Sequence, residues 1–117
     1  MDKHLPTSKR HYSTYGQVRL GYGQKLAVLV VDFQLAFTDK AFEMGGAPLI
    51  ERAVENTQKV LEVARSANLP VVKCIMAYGS QREQPYWKVS SCRDLILGSP
   101  SCAIEPRIHD AQYDMTV

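Results

Sequence analysis

Asp32 is the residue whose type and place most invite chemistry. It ends the run LAVLVV (Leu26–Val31), which is continuous, apolar and rich in β-branched side chains. Such a run suits a strand buried on both faces, as in a parallel sheet. A carboxylate at its tip is delivered to the sheet edge where open α/β proteins bind ligands. Partial burial there would suit it to general acid/base work. The alternative is local: an aspartate in that place can cap its own loop by accepting from backbone amides. Tyr78 follows a second apolar run, VVKCIMA (71–77), and is expected at the same edge. The chain has three cysteines, Cys74, Cys92 and Cys102, with no CxxC or metal-like spacing. Cys74 falls inside the second run, where a thiol serves as inert packing. Cys92 and Cys102 lie in irregular sequence, with no evident helix N-terminus or cation to form a thiolate, although Lys88 and Arg93 stand near Cys92 in the chain. His4, His11 and His109 are scattered and read as surface residues rather than metal ligands. Gly45-Gly46 permits a turn but lacks the spacing of a phosphate cradle.

The elements that must position these groups follow from pattern. Asp32 to Gly46 reads as a long loop. A helix is expected from about Pro48 to Ala67, since proline suits the first turn, where no amide hydrogen is required. Ile50, Val54, Thr57, Leu61 and Ala64 recur at helical spacing, with Ala53 and Val60 widening the stripe. Asn68 can take the left-handed position that ends a helix, and Pro70 prevents continuation. Strand, loop, helix, strand is a βαβ unit with parallel strands and a right-handed crossover. From Tyr78 to about Pro106 the sequence is irregular, with a short helical candidate at Ser91–Leu97. DAQYDMTV (110–117) reads as the beginning of a third strand.

With 117 residues, 45% hydrophobic and 22% charged, the composition is that of one globular domain. It excludes a disordered polyelectrolyte. No apolar run approaches the roughly 18–20 residues of a bilayer span, and the polar N-terminus carries no signal-peptide core. With no disulfide framework, a soluble cytoplasmic protein is expected, bound to neither membrane nor nucleic acid. The net charge is only +2, but residues 1–25 set Lys3, Lys9, Arg10, Arg19 and Lys25 against Asp2 alone. That segment also carries Tyr12, Tyr15 and Tyr22 and reads as an N-terminal arm. It is either a solvated tail or a strap that packs its tyrosines on the body or on a second subunit. Residues 26–117 form the body. A parallel sheet needs both faces covered, and one helix covers one, so the body is expected to be the N-terminal part of a larger α/β domain. The alternative is a complete small domain with a poor core.

The run AVLVVDFQLAFTD (Ala27–Asp39), followed by Gly45-Gly46, the helix and ANLPVVKCIMAY, resembles the isochorismatase-like cysteine hydrolases. The branch it most resembles is that of N-carbamoylsarcosine amidase and maleamate amidohydrolase, whose lead-in the segment ending GYGQKLA also resembles. The likeness covers about residues 12–117 and the first half of the family domain. It implies an α/β fold in three αβα layers around a parallel sheet, Rossmann-like, broken off after the third strand begins. It also implies hydrolysis of a C–N bond in a small carboxamide or carbamoyl compound by an Asp-Lys-Cys triad. Asp32 matches the aspartate, a base that accepts the thiol proton and later hands it to the leaving amine. The family lysine lies on the strand that begins here as DMTV, past Val117, and the nucleophilic cysteine lies further on. Neither position exists in this sequence. Metal-binding members carry Asp-x-His after the second strand, whereas this chain reads AYGSQREQP. The resemblance thus favours the metal-free branch, with no cofactor.

Gln34, Phe37, Tyr78 and Trp87 are candidates for the wall of a small-amide pocket, or else core and interface packing. Implied partners are a small amide substrate and either further copies of the chain or a complementary C-terminal segment. Two other readings stay open. One is an inactive binding or assembly module of the same fold. The other is a truncated nucleotide-binding α/β protein, against which the absent glycine motif argues.

Overall fold

The computed structural model describes residues 21–88 and 90–117. Most of the predicted arm, with Tyr12 and Tyr15, lies outside the described residues, as do His4 and His11. Of the arm's tyrosines only Tyr22 is described, and it is exposed.

Three strands form one parallel sheet in the order β1-β2-β3: β1 is Val28–Val31, β2 Val71–Cys74 and β3 Met115–Thr116. Val28 pairs with Val71 and Val31 with Cys74, and Val72 pairs with Met115. The ladder runs on beyond β3, with Val117 N donating to Lys73 O and Ile75 N to Val117 O. Both apolar runs are shorter as strands than the sequence implies. After Ile75 the chain leaves the ladder, and Met76 meets the Gln34 side chain of the loop that follows β1. The expected strand at 110–117 is a turn up to Asp114, because the Asp110 side chain accepts from the Gln112 and Tyr113 amides.

Helix α2, Pro48–Ser66, matches the predicted span to one residue. It follows a short helix, α1, Leu35–Thr38, where the sequence reads as loop. α1 is a single turn, too short for a periodic signal, and is held by Thr38 Oγ1 donating to Gln34 O. α2 ends as expected: Asn68 has φ 55°, and Leu69 N donates back to Ala64 O. Its inner stripe buries Val54, Leu61 and Ala64 against Val30, Val71 and Ile108. Val60, expected in the stripe, is instead exposed. The Ser91–Leu97 candidate is a 3-10 turn, Ser90–Asp94. Further 3-10 turns at Gln81–Glu83, Pro100–Cys102 and Pro106–Ile108 carry the irregular segment around the sheet edge.

α2 covers one face of the sheet. On the other, among the described residues, Leu29 is 61% exposed and Met115 52%. A buried ionic cluster secures the covered side. Asp114, just before β3, accepts two hydrogen bonds from Arg65 near the C-terminus of α2, at 3.1 and 2.6 Å. Lys73 of β2 brings its Nζ to 3.3 Å from the same carboxylate, an ion pair without a well-directed hydrogen bond. His109 Nδ1 lies 3.8 Å away.

Candidate active site

Asp32 follows β1 directly and stands at the carboxyl edge of the sheet. Its backbone has φ 61°, the left-handed region that a non-glycine residue enters only when its surroundings hold it there. The turn that holds it is well anchored. Asp32 N donates to Cys74 O at 3.0 Å, and Gln34 N to Asp32 O at 2.9 Å. Among the described residues the Asp32 carboxylate accepts no hydrogen bond. The residue is exposed rather than partly buried, because α1 and the start of α2 flank it without closing over it. It therefore does not cap its own loop. The carboxylate is left free for an external proton donor.

Asp32 lines a hollow of about 260 Å³ together with Val31, Phe33, Phe37, Thr38, Leu49, Ile50 and Ala53. An apolar wall carrying one ionisable group is the general form of a small-molecule site. Of the pocket-wall candidates, Phe37 lies on this hollow. The remaining sequence candidates sit elsewhere. Gln34 is fully buried, and its amide is engaged by backbone. Trp87 lines a separate hollow with Gln81, Gln84, Pro85, Tyr86 and Arg93. Tyr78 is half-buried and pairs through its backbone with the Leu95–Leu97 segment, accepting from Leu97 N and donating to Leu95 O. The five candidates thus do not share one cavity.

Gln34 makes the contacts that residue type alone could not disclose. Its Nε2 donates to Met76 O at 2.8 Å and Cys102 O at 3.0 Å, and its Oε1 accepts from Met76 N at 2.8 Å. Cys102 Sγ lies 3.4 Å from the same Nε2. Burial pushes the Cys102 thiol pKa up, and the Gln34 hydrogen bond only partly offsets this. Cys102 is therefore a packed thiol and not an activated nucleophile. None of the three cysteines lines the Asp32 hollow. Gly45 and Gly46 close the intervening loop onto Asp39 and Lys40 so tightly that a Cβ on Gly45 would fall on the Asp39 carbonyl. Sequence reading offered only a permitted turn there. Among the described residues no cluster of three or more His, Cys, Asp or Glu side chains could hold a metal, and no helix is long and apolar enough to cross a membrane.

No family sequence model and no curated protein sequence matches the chain. Solved structures do. N-carbamoylsarcosine amidase from Thermoplasma acidophilum superposes with a TM-score of 0.63 at 24% identity, over 80% of this chain and 50% of that one. An isochorismatase family protein from Desulfovibrio vulgaris gives a TM-score of 0.63 at 18% identity, over 80% of this chain and 52% of that one. A cysteine hydrolase from Pseudomonas syringae gives 0.59 at 22% identity, over 77% and 44%. The chain spans about half the length of these structures. Over the residues it describes, it has the isochorismatase-like α/β fold.

Proposed function

We propose that this chain is the base-bearing portion of a cysteine hydrolase that cleaves a C–N bond in a small carboxamide or carbamoyl compound. The observation that carries the reading is Asp32 itself: a carboxylate with no hydrogen-bond partner among the described residues, at the carboxyl end of a parallel strand, fixed at a left-handed φ of 61° against an apolar hollow. The fold shared with N-carbamoylsarcosine amidase supports the reaction class. The lysine and the nucleophilic cysteine are the triad members that the sequence resemblance implies; neither position occurs in these 117 residues.

In the full reaction Asp32 accepts the thiol proton and the sulfur attacks the amide carbonyl carbon. The tetrahedral adduct expels the amine, which leaves with the proton held by Asp32. Water then attacks the thioester. Asp32 takes its proton and returns it to the departing sulfur. Phe33, Phe37, Leu49, Ile50 and Ala53 give the hollow an apolar wall against which the carbon skeleton of such a substrate would pack. The partner required is a segment that brings the lysine and cysteine to this edge, whether in the same polypeptide or in another. Exposed apolar side chains on the free sheet face, Leu29 and Met115 among them, favour such a partner or association between copies.

A second reading is an inactive binding or assembly module of the same fold. It is favoured by the absence of all three cysteines from the Asp32 hollow. Ammonia release from a panel of carboxamides and N-carbamoyl amino acids tests both. Hydrolysis that falls at least about 10²-fold in Asp32→Asn supports the base assignment, and near-normal turnover in that variant overturns it. A folded chain that stays inert to the whole panel even with the completing segment present supports the second reading.

A further inference from the structure

We infer that Gln34 is a positioning residue, which sets the Asp32 carboxylate by locking the strained turn between β1 and α1, and that it does not contact substrate. The inference deepens the hydrolase reading and rests on it for the role of Asp32, while the geometry of the lock stands by itself.

Four observations converge on Gln34. First, it lies two residues after Asp32 and is fully buried, so its amide is not presented to the hollow that Asp32 lines. Second, both ends of that amide are used. Nε2 donates to Met76 O and Cys102 O, and Oε1 accepts from Met76 N. A primary amide has two donor hydrogens and one acceptor oxygen, and no donor is left to offer a ligand. Third, its partners are backbone atoms remote in sequence, on the segment leaving β2 and on the 3-10 turn at Pro100–Cys102. The backbone reinforces the same junction, with Leu35 N donating to Ala103 O and Glu105 N to Phe33 O. Fourth, the residue so bracketed, Asp32, has φ 61°. A left-handed L-residue persists only where surrounding contacts over-determine it. Gln34 supplies side-chain contacts that join three chain segments at one point. Two atoms arranged as donor and acceptor against the C=O and N–H of one residue, Met76, specify glutamine and not glutamate. A carboxylate would retain the Met76 N–H contact but would face two carbonyl oxygens without a proton.

NMR of the 117-residue chain provides the test. A residue at φ near +60° gives a strong intraresidue NOE between its amide and α protons. In the unmodified chain that NOE is expected to be strong for Asp32, and the Gln34 side-chain amide protons should exchange with solvent at least 10-fold more slowly than those of exposed Gln112. In Gln34→Leu, which keeps the volume and removes both polar ends, the Asp32 NOE should weaken to the level of an extended residue. Reactivity of Cys102 toward a disulfide reagent should rise at least 10-fold over that of Cys92. Gln34→Glu should reproduce the NOE change. A folded variant that keeps the Asp32 NOE overturns the inference, as would a loss of thermal stability that leaves Asp32 unmoved. Should neither variant fold, solvent-rate exchange of the Gln34 amide protons in the unmodified chain overturns it, and protected exchange supports it. Where carboxamide hydrolysis is measured, a positioning role lowers kcat and leaves KM within about two-fold, whereas a substrate contact raises KM. A chain that shows these NMR changes but stays inactive with the completing segment present counts against the hydrolase reading and still supports the lock.

Discussion

At the scale of single residues, the account turns on a carboxylate placed at some expense of stability. A left-handed L-residue costs about 1–2 kcal/mol, and glycine escapes that penalty. Asp32→Gly is therefore expected to raise the unfolding free energy by roughly 1 kcal/mol while abolishing any hydrolysis that depends on the carboxylate. Denaturant unfolding measures the first effect, and an unchanged or lower midpoint would deny that the turn is strained. Sequence exposed Asp32 because its charge interrupts an apolar run. It said nothing of φ, since the constraint comes from Gln34, Met76 and Cys102, which lie far apart in the chain. Gln34 looked like pocket wall for the same reason: a polar residue beside a candidate base has the same letter whether it faces ligand or is consumed by backbone. Tyr78 is expected at the pocket because it follows the second strand, and the irregular segment carries it and Trp87 into other surroundings.

At the scale of elements, the cluster of Arg65, Lys73 and Asp114 joins α2, β2 and the entry to β3. Burial works to raise the Asp114 carboxyl pKa, but the Arg65 hydrogen bonds, the Asp110 amide and Lys73 outweigh it and hold the pKa below the usual range. A depressed folded-state value contributes stability above the unfolded value of about 3.9, and the contribution is lost as pH falls through the folded value. The unmodified chain should therefore lose stability below about pH 4, and Asp114→Asn should flatten that limb. The substitution leaves buried Lys73 and half-buried Arg65 without their counter-charge and should cost about 3 kcal/mol at neutral pH. Lys73 has the opposite sign. Burial lowers its pKa despite Asp114, so the charged lysine opposes folding, and that opposition eases as pH rises through its folded value. Lys73→Met, with Arg65 still on Asp114, should be neutral or stabilising in thermal melts; a large loss would contradict this. The loop between α1 and α2 depends on its two glycines. Gly46 has φ 77°, and a Cβ there would lie 2.7 Å from the Lys40 Cβ, so Gly46→Ala should destabilise by more than 1 kcal/mol, or about the left-handed penalty alone. The long helix and the strands β1 and β2 were legible because periodicity and β-branching report burial directly. α1 and the 3-10 turns were not, because a single turn has no period and is held by contacts from distant segments.

At the scale of the whole molecule, α2 protects one face of a three-stranded sheet, and on the other, among the described residues, Leu29, Val31 and Met115 are exposed. An apolar face of that kind promotes association. Sedimentation of the chain should show a weight-average mass that rises with concentration, and Leu29→Lys should reduce the rise; a concentration-independent monomer mass would show that this face is not adhesive. The parallel topology could be read from the βαβ order, but which face stays open depends on the side of the crossover, which handedness supplies only once β2 is placed beside β1. The account's central claim is that the Asp32 carboxylate moves a proton during amide cleavage. Its most direct test is the pH–rate profile of ammonia release by the intact chain and by Asp32→Asn, with whatever segment completes the site present. The account predicts a loss of at least about 10²-fold in the variant at every pH where the unmodified chain turns over. Equal rates in both proteins at every pH would contradict it.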